Sequence, residues 1–198
     1  METEAEYKTP PKRTQKRESK KAMQLGLFKI YSDASDPLWA TNGSACFDLK
    51  AYLKPSTEVN IYDSNNEKTT RNARDEIARD ESGIWLNPGD RALIPTGLVF
   101  DIPEYHSIRI HPRSGLSWKS GLNLSNCEGV VDYDYVEQMF ISIHNTSRAR
   151  VWIADGERIA QAELVEAIHS NAIDVVSLSK KPAKKTTRSG GFGSSGKK

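Results

Sequence analysis

The sequence predicts an all-β protein, a sandwich, jelly roll or barrel, and three observations predict it. Short apolar runs rich in β-branched residues recur along the chain, and Ser107-Ile108-Arg109-Ile110-His111 alternates with period two. Gly, Pro and Asn separate the runs, as in Asn42-Gly43 and Asn87-Pro88-Gly89-Asp90. There is neither a long amphipathic helical pattern nor a repeat period to set against them.

Taken in order, the elements begin near Met23. Residues 1–22 hold seven Lys/Arg and four Glu with little apolar content, so no core can form there and a solvated basic tail is expected. Residues 25–31 and 46–52 read as strands, with Pro37 and Asn42-Gly43 marking the loop between them. Residues 60–83 are polar, with Asn65-Asn66 and a charged run from Arg71 to Glu81. They read as an insertion, a surface loop that could carry one short helix, or a surface for a protein partner. Strand signals resume at 84–86. Residues 91–100 form an apolar run interrupted by Pro95 and Gly97, and further strands are expected at 139–145, 151–153, 158–164 and 173–178. From 180 the chain is Lys- and Gly-rich, an arm expected to be mobile when nothing is bound. The body is therefore 23–179.

Charge and cysteine content narrow the class. The 198 residues carry a net charge of +2. Without the two tails, 14 basic and 22 acidic residues remain, so the body alone carries −8. Basic tails can meet an anionic ligand or simply stay solvated; the four Glu of the first tail argue against tight nucleic-acid binding. No apolar run is long enough to span a membrane and no secretory leader is visible, so a soluble cytoplasmic protein is expected, or a nuclear one for a eukaryotic or viral source. Cys46 and Cys127 each stand outside any CxxC, which points to free thiols rather than a zinc site. His106, His111, His144 and His169 show no ligand spacing.

Four stretches differ from ordinary strand and turn sequence. Arg113-Ser114-Gly115 combines a guanidinium fork, a hydroxyl and an approachable backbone N–H, groups that suit phosphate oxygens; a bulge or turn is the plainer reading. Gly129-Val130-Val131-Asp132-Tyr133-Asp134-Tyr135 reads as a β-hairpin. Asp132 is there either a turn residue or, if burial and neighbours hold it ionised in a cleft, a base for an attacking water. Gly156-Glu157-Arg158-Ile159-Ala160-Gln161 is a turn entering a strand, with Arg158 and Gln161 expected on opposite faces. Arg188-Ser189-Gly190-Gly191-Phe192-Gly193-Ser194-Ser195-Gly196 reads as a linker. It also suits an arm that closes on a ligand, with glycine N–H donors, hydroxyls, an Arg and one ring to stack on a base.

In this order the stretches resemble the motifs of the trimeric dUTPases. Ala40-Thr41-Asn42-Gly43-Ser44-Ala45-Cys46-Phe47-Asp48-Leu49-Lys50-Ala51 is similar to the first of five, and Pro112-Arg113-Ser114-Gly115-Leu116 to the second. The segment around Asp132, the Glu157 segment and Gly190 to Gly196 are similar to the third, fourth and fifth. The resemblance implies a jelly-roll subunit in a homotrimer, with active sites shared between chains and closed by a C-terminal arm. It implies hydrolysis of dUTP to dUMP and pyrophosphate with Mg²⁺. By position, Asp132 would activate the water that attacks the α-phosphorus, and Tyr135 would pack on the deoxyribose. Asn126, Gly129 and Val131 would read uracil. Arg113, Ser114, Gly115 and Gln161 would hold the phosphates, and Asp48 would orient a Mg²⁺-bound water. In the arm, Phe192 would stack on the base, Arg188 would reach the γ-phosphate, and Gly193, Ser194 and Ser195 would bind substrate. Two details depart from the family pattern. Val136-Glu137 stands where a Gly is usual, and Arg188 lies one residue nearer the Gly-Gly pair than the usual Arg. The other readings are a related dCTP deaminase, alone or bifunctional, and a dUTP-responsive regulator acting through the insertion or a tail.

Overall fold

The computed structural model describes residues 22–76 and 79–185. Among them are fourteen strands, all paired antiparallel in four sheets, with one seven-residue α-helix. The expected all-β class is what the chain adopts. Of the described residues, those up to Glu166 form one unit and 167–185 a second.

The first unit opens with β1 (Gly26–Lys29), β2 (Phe47–Lys50), β3 (Glu58–Tyr62), β4 (Lys68–Asn72) and β5 (Arg74–Glu76). β6 (Glu81–Leu86) and β7 (Arg91–Pro95) follow, joined by the turn at Asn87–Asp90. β8 (Leu98–Asp101) is parted from β7 at Gly97, whose φ of +71° is the left-handed backbone that glycine adopts without penalty. β9 (His106–Pro112), helix α1 (Ser114–Ser120), β10 (Leu122–Leu124), β11 (Gly129–Val131), β12 (Phe140–Asn145), β13 (Val151–Ala154) and β14 (Arg158–Glu166) complete it.

Two sheets position the site. One has the order β10-β12-β7-β3-β4, the other β11-β9-β14-β2. Their strands alternate as the sequence requires: in β3, Val59 and Ile61 are fully buried while Glu58, Asn60 and Tyr62 face out. Phe47, Leu49, Ile94, Ile108, Ile141 and Ile153 are among the buried side chains of the shared core. Burying one such side chain contributes about 1.5–3 kcal/mol.

Four expectations are corrected. The run from Arg71 to Glu81 holds strands, not a helix. Asp63 Oδ1 accepts the Asn65 and Glu67 N–H groups at 2.9 and 2.8 Å, turning the chain so that β4 pairs along β3. Ladder bonds to β3 and β6 then satisfy the backbone better than an isolated surface helix would. Arg71 is tied down by the buried Asp90 at 3.0 Å. The Arg113 segment is not a bulge but leads into α1. Residues 173–178 form no strand: no partner strand lies beside them among the described residues, and Ile173, Val175, Val176 and Leu178 are exposed. Finally, the stretch around Asp132 is no two-stranded hairpin. β11 pairs with β9, whereas β12 pairs with β10 and β7, so the turn between them crosses from one sheet to the other.

Candidate functional site

That crossing makes a pocket. β11 stands at the edge of its sheet, with one side bonded to β9 and the other free. The free side faces β12 across a pocket of about 330 Å³, lined by Asn126, Gly129, Val130, Val131, Asp132 and Tyr135 and floored by apolar residues including Ile110, Leu124 and Ile141. Gly129 is bare because a Cβ there would meet Ile110 Cβ at 3.0 Å. The Tyr135 N–H donates to the Asp132 carbonyl at 3.1 Å, and the Tyr135 hydroxyl to the Gln138 carbonyl at 2.9 Å. These bonds fix the turn that carries the carboxylate. Neither Val136 nor Glu137 has left-handed backbone, so the exit from the turn needs no glycine. One sequence expectation fails here: Asp132 is exposed at the rim of the pocket rather than buried.

A second group lies at the other end of β9. Asp48 on β2 is nearly buried and takes two guanidiniums, Arg113 Nε on Oδ1 at 2.9 Å and Arg158 Nη1 on Oδ2 at 3.0 Å. Arg113 Nη1 also donates to the Arg158 carbonyl at 3.0 Å, and Gln161 Nε2 to the Pro112 carbonyl at 3.0 Å. Ser114 and Gly115 follow in the first turn of α1, exposed, and a Cβ on Gly115 would meet nothing within 4 Å. The arrangement presents guanidinium, hydroxyl and backbone donors to one open surface.

The sequence reading overlooked Arg158. A register shift between Arg158 and Ala160 inserts one extra residue in β14. Ile159 and Ala160 are therefore both buried in succession, and Arg158 and Gln161, expected on opposite faces, share the face of Asp48. The consecutive apolar residues Ile159 and Ala160 at the start of the strand were the available signal.

Beside this cluster, burial pushes the Glu157 carboxyl up and Glu81 adds to the effect, while the Ala154 N–H, bonded at 3.1 Å, and Arg113 pull the other way. A carboxyl raised on folding favours the folded state while protonated. That advantage is lost as pH rises through the folded value. Glu157→Gln retains an acceptor for Ala154 and removes the charge, so its Tm at pH 7 should equal or exceed that of the unmodified chain. The gap should close as pH falls to about 4. A Tm lowered equally at both pH values would contradict this. Burial likewise raises the Cys46 thiol, with Glu163 and Asp48 adding to it, and both cysteines are free.

The predicted site residues thus fall into two groups within one chain. Asp132, Asn126, Gly129, Val131 and Tyr135 gather at the pocket; Asp48, Arg113, Ser114, Gly115 and Gln161 gather around the ion cluster. Val131 lies opposite Ile108, five residues before Arg113 on β9. At about 3.3 Å per residue, Val131 lies roughly 16 Å along the strand from Arg113, and Gly129, opposite Ile110, roughly 10 Å. Arg188, Phe192, Gly193, Ser194 and Ser195 lie outside the described residues. Among the described residues no group of three or more His, Cys, Asp or Glu could hold a metal, and no helix is long and apolar enough to cross a membrane.

Comparison with known proteins identifies the family. The dUTPase family model matches residues 81–196. The deoxyuridine 5'-triphosphate nucleotidohydrolase of Nautilia profundicola is 40% identical over 176 residues, covering 88% of this chain and all of that one. The enzyme of the same name from Finegoldia magna is 34% identical over 171 residues, covering 85% and 97%. Among solved structures, the dUTPase of Staphylococcus bacteriophage 80alpha with dUpNHpp superposes with a TM-score of 0.62 at 20% identity, covering 88% of this chain and 99% of that one. The dUTPase of Streptococcus mutans superposes at 0.54 with 22% identity, covering 76% and 99%. The family model spans more than half of the chain and the relatives are matched over nearly their whole length, so the chain belongs to the dUTPase family.

Proposed function

We propose that the protein is a dUTP diphosphatase that hydrolyses dUTP to dUMP and pyrophosphate in a homotrimer with shared sites. The observation that carries this reading is the pocket on the free edge of β11, with Asp132 at its rim. An edge strand offers unpaired backbone N–H and C=O groups. The planar edge of uracil needs just such an alternation of donors and acceptors, supplied by Gly129 and Val131 and supplemented by the Asn126 amide. A close fit of the base between β11 and β12 would exclude a 5-methyl group. Tyr135, held by its bond to Gln138, would pack on the deoxyribose and leave no room for a 2'-hydroxyl.

The separation of the two groups supports the homotrimer. A substrate whose base lies beside Val131 would have to stretch its triphosphate fully along that strand to meet Arg113 of the same chain. A neighbouring copy would bring its own Arg113, Ser114, Gly115, Gln161 and Asp48 to the pocket. The arm, with Phe192, Gly193, Ser194, Ser195 and Arg188, would close over base and phosphates. Closure by a glycine-rich arm excludes water and completes the donor set around the developing charge.

Mg²⁺ fits this arrangement as an ion carried by the triphosphate. Both Asp48 oxygens are engaged by guanidiniums, yet each keeps acceptor capacity for a water. Asp48 would therefore meet the metal through a water, as Mg²⁺ commonly keeps several. The bound ion would supply charge neutralisation on the phosphates. A structure of a mutant dUTPase from phage phi11 of S. aureus, which superposes at a TM-score of 0.57, is described as showing coordination of a structural Mg(II) ion.

Release of pyrophosphate by the pure protein with Mg²⁺ tests the reading. dUTP should be turned over at least about 100-fold more efficiently than dTTP, dCTP or UTP. No release from dUTP would overturn it. Ammonia from dCTP would point to a deaminase instead.

A further inference from the structure

The insertion builds a pocket that shares no residue with either group of the candidate active site. Its volume is about 270 Å³ and it is lined by Arg71, Asn72, Arg74, Trp85, Asn87 and Arg150, among others. Three guanidiniums surround one concavity in a body whose net charge is −8. Like charges so placed repel one another, and neither Arg74 nor Arg150 has a carboxylate partner among the described residues. Arg71 is anchored by Nη1 on the buried Asp90 at 3.0 Å, which fixes the guanidinium and leaves its other N–H groups to donate. Trp85 acts as a post: the Arg150 guanidinium lies 4.8 Å from the ring centroid and that of Arg79 5.3 Å, so cation–π attraction holds these side chains in place before any ligand arrives. Trp152 packs against Trp85 at 5.4 Å and stiffens it.

We propose that this pocket is an anion site for the phosphoryl oxygens of a small phosphate-bearing ligand. Guanidinium forks match such oxygens in pairs, and the Asn72 and Asn87 amides add neutral donors. The Trp85 ring already has guanidiniums against it, so the site is built to grip phosphate rather than to stack a base. The acidic body favours a compact anion over a long polyanion, which would meet repulsion beyond the pocket. Arg71 and Asn72 come from β4 and Arg74 from β5, so the polar 60–83 stretch supplies part of the site.

The test is calorimetric titration of the full chain with inorganic pyrophosphate, and separately with a single-stranded dT oligomer, for the unmodified protein and for Arg74→Ala/Arg150→Ala. Both positions are exposed, and an unchanged Tm checks the fold. Turnover of dUTP should also be unchanged, which separates this site from the catalytic reading. The unmodified chain should bind one more pyrophosphate per chain than the variant, or bind it at least about tenfold more tightly at that site. Arg74→Lys/Arg150→Lys should fall between, keeping the charge and losing the fork. If only the oligomer shows the arginine-dependent loss, the site takes a nucleic-acid backbone and the small-ligand proposal is overturned. Identical isotherms for both ligands in both proteins would overturn the proposal.

Discussion

Asp132→Asn is expected to lower kcat on dUTP by about 10³-fold while leaving the affinity for dUpNHpp within a few-fold of that of the unmodified protein. The substitution keeps the size and the hydrogen-bonding shape of the side chain but cannot accept a proton from water. About 4 kcal/mol of transition-state stabilisation would be lost, in the range of a positioned general base. The fold should not suffer, because Asp132 is exposed at the rim and the turn is held by the Tyr135 N–H on the Asp132 backbone carbonyl, which the substitution leaves in place. A kcat within threefold of the unmodified value would remove Asp132 from the mechanism. A large loss of analogue binding would make it a binding group instead.

Arg113→Ala should produce the second largest loss, about 100-fold or more in kcat/KM, with both constants affected. Arg113 would bind the triphosphate and also holds Asp48 at 2.9 Å and the Arg158 carbonyl at 3.0 Å. Without it Asp48 keeps only Arg158, so the water-mediated metal contact would be displaced along with the phosphate ligand. Losing one charged bond to a nearly buried carboxylate should cost about 1–3 kcal/mol of stability, visible as a lower Tm. Arg113→Lys should recover the charge without the paired donors and restore activity only in part. Full activity in Arg113→Ala would refute the phosphate role.

Much of this was legible in the sequence, for identifiable reasons. Alternation gave β9 and β12, and the apolar run with Pro95 and Gly97 gave β7 and β8, because burial on one face and glycine at positive φ leave local signatures. The 60–83 stretch was misread because its strands β4 and β5 carry no apolar alternation and are held by local hairpin pairing, β4 on β3 and β5 on β6. Lys68–Asn72 is polar along its length and becomes a strand by pairing on β3. The reverse error fell on residues 173–178, where β-branched composition found no edge to join. At the site, the order of the motifs gave Asp132, Asp48, Arg113 and Gln161. Arg158 was overlooked because a one-residue bulge reverses the face of every residue beyond it. The separation of the two groups was not legible either, since it depends on the register of β11 against β9.

That separation is what the account most depends on, and mixing the two inactive variants tests it. Asp132→Asn and Arg113→Ala are each purified, combined in equal amounts, dissociated and reassembled. If each site takes Asp132 from one copy and Arg113 from another, random assortment leaves about a quarter of the sites with both groups intact. Pyrophosphate release from dUTP should then rise from near zero to about a quarter of the unmodified rate. A mixture no more active than the separate variants, with exchange of copies verified by mass, would show that both residues serve the same site from a single chain and would contradict the shared-site account.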